Sequence, residues 1–198
     1  EYKASAKGKS NQPAVFLDSA GRAFATDAHS LPSARSQGEP MTGRFNLTTG
    51  ANFEHVVMGE DNQVLLMASD AGYGFITDFK DLVSKNKNGK ALVSVPKGGI
   101  LLSPIRVNDV ATDYCMAISN EGRMLLFPLR DLPKLGKGKG NKIISIPGAK
   151  VQAREEFVKV LAVVPQGSSV TLHAGKRKLT LKPSDLEHYH GERGRRGN

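Results

Sequence analysis

The chain has 198 residues, 39% of them hydrophobic, and a net charge of +9 from 28 basic and 19 acidic side chains. Such a composition supplies a packed core and excludes disorder as the default state. No apolar run approaches the ~20 residues of a membrane helix, and the single cysteine, Cys115, excludes an intrachain disulfide.

The first predicted element is a hairpin over residues 14–25. A short apolar strand ends at Asp18, passes Gly21 and resumes as a second strand. Leu31 follows, then a loop at Arg35–Gly38 and a strand at His55–Met58. The same order restarts over residues 65–76 around Gly72. There Leu82 precedes a basic loop (Lys85–Lys90), a third strand (Ala91–Val95, ended by Pro96) and a fourth (Ile100–Leu102 with Ile105–Val107). It restarts over residues 114–126 around Gly122, with Leu132, the loop Gly136–Lys142, a strand at Lys142–Ile146 ended by Pro147, and another at Phe157–Val164. A fourth copy, residues 169–181 around Gly175, leads to Leu186 and the loop Gly191–Gly197.

The four glycines are 51, 50 and 53 residues apart. Glycine at that place suits the left-handed residue of a three-residue hairpin turn. The leucines lie 10 residues beyond the first three glycines and 11 beyond the last, and read as core plugs. Long helical periodicity is absent; Leu82–Lys85 and Asp185–His188 read as short turns. Four strands per ~50-residue unit is the pattern of a propeller blade. We therefore expect one all-β domain over residues 1–198, a propeller-like array of about four blades (1–58, 59–107, 108–164 and 165–198) within an open or incomplete ring. A β-sandwich or a pair of small barrels is the alternative.

Charge is distributed unevenly over these units. Residues 1–133 hold 14 Lys/Arg and 14 Asp/Glu, whereas residues 134–198 hold 14 and 5, which is the whole +9. A one-sided basic excess makes a one-sided field and favours a polyanion, most often nucleic acid. A membrane surface is disfavoured because no basic amphipathic helix is visible. Cys115 lies in the apolar run Tyr114–Ile118 and reads as a small buried hydrophobe. With a polar start (Glu1, Tyr2, Lys3) it predicts no signal peptide and a reducing, cytoplasmic setting.

The repeats, Lys7–Gln12, Ala68–Gly74, Leu132–Pro133 with Gly136–Lys142, and Gly175–Lys178 with Gly191–Gly197 together resemble the C-terminal domain of the ParC-type subunit of topoisomerase IV, over nearly the whole chain. The C-terminal domain of the corresponding gyrase chain, gyrase A, is the sister family. The resemblance implies a β-pinwheel, in which neighbouring blades exchange strands. It implies a bacterial, nucleoid-associated parent enzyme: an ATP-dependent type IIA topoisomerase, a heterotetramer of two ParC-type chains with two chains of the other, B-type kind. This domain would bend and steer the transported duplex and tune substrate topology preference, without a cofactor. None of Tyr2, Tyr73, Tyr114 and Tyr189 lies in a pattern onto which catalysis carries over. The Gln-Arg-Arg-Gly-Gly-Lys-Gly type box of gyrase has no intact copy here. Gly138–Lys142 and Arg193–Gly197 are degenerate echoes, which argues against tight wrapping.

Glycine-rich basic loops suit duplex backbones, because glycine lets main-chain N–H groups approach phosphates while Lys and Arg release counterions. Such contacts position a duplex without reading its sequence. The leading candidates are Lys137, Lys139 and Lys142 in one loop and Arg193, Arg195 and Arg196 in another, both expected on one rim. Lys176, Arg177 and Lys178 follow on a hairpin; Lys87, Lys90, Arg35 and Arg123 are secondary. With 6% aromatic residues and no Trp, stacking platforms for single strands are not expected.

His188 and His190 are spaced like a pair on one strand face but lack a clustered third ligand, so no metal is assigned. Asp70, Asp78 and Asp81 read as turn and cap residues. No nucleophile triad or nucleotide fingerprint occurs. The competing function is a protein-interaction propeller whose basic surface docks an acidic partner, such as a chromosome-organising protein.

Overall fold

The computed structural model describes all 198 residues. Three hairpins carry the array: β1 (Pro13–Asp18) with β2 (Arg22–Asp27), β4 (Val64–Ser69) with β5 (Tyr73–Asp78), and β8 (Tyr114–Ser119) with β9 (Met124–Pro128). Gly21, Gly72 and Gly122 take φ of +86°, +89° and +84° at the turns, the region where a side chain is strained.

A strand from the same unit flanks each hairpin: β3 (Phe53–Val57) on β1, β7 (Ile105–Arg106) on β4, and β11 (Val158–Val164) on β8. One reciprocal bond pair recurs at these junctions. Ser19 N–H donates to Asn52 O (2.7 Å) and Asn52 N–H to Ser19 Oγ (3.0 Å). Asp70 and Ile100 repeat the exchange at 2.8 and 2.7 Å, and Asn120 and Phe157 at 3.0 and 2.9 Å. A short acceptor side chain at this one turn position therefore fixes each outer strand to its hairpin.

The remaining strand of each of the first two sheets comes from the unit that follows. β6 (Lys90–Ala91) pairs with β2, and β10 (Asn141–Lys142) pairs with β5. Asn198 exchanges two backbone bonds with Met124 at the start of β9. The sheets run β3-β1-β2-β6, β7-β4-β5-β10 and β11-β8-β9. This exchange makes the array a β-pinwheel. It does not close, since no pairing joins its two ends.

The core lies between blades. Successive strand residues point to opposite faces, so Leu65 and Met67 of β4 join a cluster with Val15, Leu17 and Leu92, while Leu66 and Ala68 join one with Cys115, Phe127 and Ile143. Blade two is buried on both faces, which is why its hairpin reads as one apolar run. Phe16, Phe24, Phe45 and Phe53 fill the outer face of blade one with ring centroids 5.3–6.3 Å apart. Cys115 is fully buried, and desolvation pushes its thiol well above the usual range. Maleimide is therefore expected to label it only after denaturation; rapid labelling of the native chain would contradict this packing.

The structure corrects several expectations. The third strands are two residues long, because Gly21 O accepts from both Leu92 and Val93 N–H and turns the chain away from the ladder. Ile143 N–H donates to Gly72 O at the equivalent place. The fourth hairpin, β12 (Val170–Ala174) with β13 (Arg177–Leu181), pairs Ala174 with Arg177, so its turn has two residues, not three, and its sheet has only two strands. A five-residue helix, α1 (Gly148–Gln152), precedes β11. Leu82, Leu132 and Leu186 are buried, but Leu31 is only half-buried. His188 lies in a short 3-10 turn (Glu187–Tyr189), and the His190 ring packs edge-on to Tyr114 at 4.9 Å, so the two are not neighbours on a strand face.

Candidate nucleic-acid interface

The strand exchange lays the basic loops side by side. Segment 136–142 lies against the segment exchanged by the preceding unit: Gly138 N–H donates to Leu92 O (2.9 Å) and Ser94 N–H to Gly138 O (3.0 Å). Segment 191–198 lies against 142–145 in turn. Gly194 N–H donates to Ile143 O (2.9 Å), Ser145 N–H to Arg195 O (2.9 Å), and Arg193 Nη1 to Lys142 O (2.7 Å). Residues 89–94, 138–145 and 193–198 thus form one hydrogen-bonded band across successive blade seams. Glycine permits the close passage. A Cβ at Gly140 would fall 2.1 Å from Gly74 O, and Gly140 has φ of +81°.

Lys137, Lys139 and Lys142 are exposed on this band. Lys139 Nζ stands over the Tyr73 ring, 4.4 Å from its centroid. A cleft of about 330 Å³ opens beside it at the seam of blades two and three, lined by Tyr73, Lys97, Lys139, Lys142 and Ser145 among others, and by no carboxylate. Lys97 and Tyr73 were not sequence candidates. Tyr73 was nonetheless readable as a departure, because it follows Gly72 where the neighbouring copies carry Arg22 and Arg123.

The other candidates differ in what holds them. Arg195 is exposed and pairs with Glu192 at 2.7 Å. Arg123 Nη1 donates to Gly197 O at 3.4 Å. Lys87 is exposed, whereas Lys90 folds back to donate to Asp81 O. Arg196 is no free cation: it donates to Ser145 O (2.7 Å) and to the fully buried Glu156 (2.6 Å). That hydrogen bond raises the Arg196 pKa above its ordinary value, against a smaller opposing effect of burial. Arg154 forms the matching tie one blade earlier. It donates to both oxygens of buried Asp70 (3.2 and 2.7 Å), is raised by that bond, and adopts φ of +56°. These two arginines hold seams together. Lys176, Arg177 and Lys178 are exposed at the fourth hairpin, and Arg35 on its loop; no hydrogen bond ties either group to the band.

No three His, Cys, Asp or Glu side chains converge as a metal site, and no helix is long and apolar enough to cross a membrane. What the surface offers is a set of exposed cations on the tightly passing glycine-rich backbone of a strand-exchanged β-pinwheel. The family model for the DNA gyrase C-terminal domain, β-propeller, matches residues 63–108 and 113–164. The chain is 57% identical over 197 residues to the A-type subunit of DNA topoisomerase 4 from Pseudomonas aeruginosa, and 53% identical over 196 residues to its counterpart from Escherichia coli K12. These alignments cover 100% and 99% of the chain but 26% of each relative, so it spans about a quarter of their length. The solved C-terminal domain of E. coli ParC superposes with a TM-score of 0.90 at 53% identity, covering 96% of this chain and 77% of that one. The chain belongs to the family of ParC-type C-terminal domains of topoisomerase IV.

Proposed function

We propose that this chain, as one domain, binds duplex DNA without sequence preference along the basic band, and bends it across adjacent blades. In the parent topoisomerase it would steer the transported segment and tune substrate choice in decatenation and supercoil relaxation, while the strand-cleaving residues and the B-type chains lie elsewhere. The setting proposed is the bacterial cytoplasm, on the nucleoid, and the domain itself needs no cofactor. The observation that carries this reading is the direct hydrogen bonding of segments 138–145 and 193–198, which brings Lys139 and Lys142 of one unit beside Arg193 and Arg195 of the next. Phosphate contacts from such cations are sequence-independent and release counterions. The degenerate glycine-arginine box and the pairing of Arg196 with Glu156 favour bending over full wrapping.

Gel-shift titration with linear duplex at several salt concentrations tests it. Affinity is expected to fall steeply, with a log–log slope of about −0.9 per phosphate contacted. Binding that ignores salt, or none at all, would transfer the surface to an acidic protein partner.

A further inference from the structure

We infer that the cleft at the seam of blades two and three is a discrete phosphodiester anchor, in which uncharged Tyr73 acts as the positioning residue for Lys139. The inference rests on the duplex-binding reading and adds a specific place and a specific non-ionic residue to it.

The internal repeat provides the comparison. The residue after each hairpin glycine faces the segment arriving from the next unit. At the first seam Arg22 grips that segment, donating from Nε to Asn88 O (2.9 Å) and from Nη2 to Gly89 O (3.0 Å). At the third, Arg123 reaches Gly197 O. At the second seam the residue is Tyr73, which carries no guanidinium for that grip. Its backbone still pairs with Lys142, but its ring face is occupied by the Lys139 ammonium.

Two consequences follow from chemistry. An aromatic face attracts a cation and restricts where it sits, so Lys139 is held at the cleft where an ordinary lysine sweeps through solvent. Lys142 lines the same cleft three residues further along the segment and Lys97 lines it from another segment, and none of the three lysines is in an ion pair. Three unneutralised ammonium groups around a water-accessible hollow with no carboxylate form a place for a phosphate oxyanion. The cleft lies on the band of exchanged segments, so a duplex following the band supplies that phosphate from its backbone.

The test uses fluorescence anisotropy of a labelled linear duplex with the full 198-residue chain. Tyr73→Leu keeps apolar bulk and removes the π face. It is expected to weaken binding about three-fold, although no charge is lost. Tyr73→Phe is expected to bind like the parent. Lys139→Ala is expected to weaken binding and lower the salt slope by about one, and adding Tyr73→Leu to it is expected to cost nothing further. Thermal melting of each variant checks the fold. Wild-type affinity in a folded Tyr73→Leu chain, or full additivity in the double variant, overturns the anchor while leaving duplex binding intact. Absence of duplex binding by the parent chain overturns the underlying reading instead. Amide shifts at Gly72 and Lys139 distinguish the anion's source: movement with duplex supports a backbone phosphate, and movement with inorganic pyrophosphate alone overturns that assignment.

Discussion

Replacing Lys137, Lys139 and Lys142 together with Glu is expected to lower duplex affinity by about 100-fold near 0.1 M salt and to flatten the log–log salt slope by about three. The three lysines occupy one six-residue stretch of the band, all exposed and none in an ion pair. Their removal deletes counterion-releasing contacts, and the new carboxylates repel the phosphates that remained in reach. The loss should be equal for unrelated duplex sequences, because phosphate contacts carry no base information. Arg35→Glu serves as the comparison: no hydrogen bond ties its loop to the band, and its affinity should stay within about two-fold of the parent. A loss for Arg35→Glu one third as large, in log units, as that of the triple variant would mean that net charge alone, and no defined track, governs binding.

The largest stability effect is expected from Gly21→Ala, with Gly122→Ala as its control. Both glycines adopt a left-handed φ, +86° and +84°, which costs an alanine about 1 kcal/mol or slightly more. They differ in what surrounds them. A Cβ at Gly21 would lie 1.9 Å from Val93 O, which is backbone of the exchanged segment and is fixed by the bonds of Leu92 and Val93 to Gly21 O. At Gly122 nothing lies within 4 Å. Gly21→Ala must therefore displace the exchanged segment, opening the seam of blades one and two, and a loss of about 4 kcal/mol is expected. Gly122→Ala should lose about 1 kcal/mol. Urea unfolding followed by circular dichroism measures both; indistinguishable midpoints would show that the exchanged segment contributes little to stability.

Much of this fold is legible in the sequence because its signals are local. A turn glycine and a short polar acceptor recur every fifty residues or so, and each acts within its own unit. The illegible part is contact between units. The early turn of Leu92 and Val93 out of the ladder depends on Gly21 of another unit, so Ala91–Val95 looks like a full strand and is not. Leu31 has the spacing of a plug, but it is only half-buried. The same distinction applies to the interface. Loop composition points to Lys137, Lys139 and Lys142, none of which is in an ion pair. It gives no sign of the pairing of Arg196 with Glu156, 40 residues away, and it passes over Lys97, which follows a proline and lines a cleft with Tyr73. The fourth hairpin departs for a local reason: pairing of Ala174 with Arg177 leaves room for two turn residues where the earlier copies have three.

Because the first two sheets each take their last strand from the unit that follows, the architecture can change length only in whole periods. A deletion that joins matching points of two units returns each donor segment to an acceptor of the same shape, and the carbonyl of Gly21 would simply meet Ile143 in place of Val93. A cut of any other length throws donor and acceptor out of phase, baring one edge and stranding one loop. Shuffled or shortened variants of this domain should therefore survive or fail in steps of about fifty residues, like links removed from a chain.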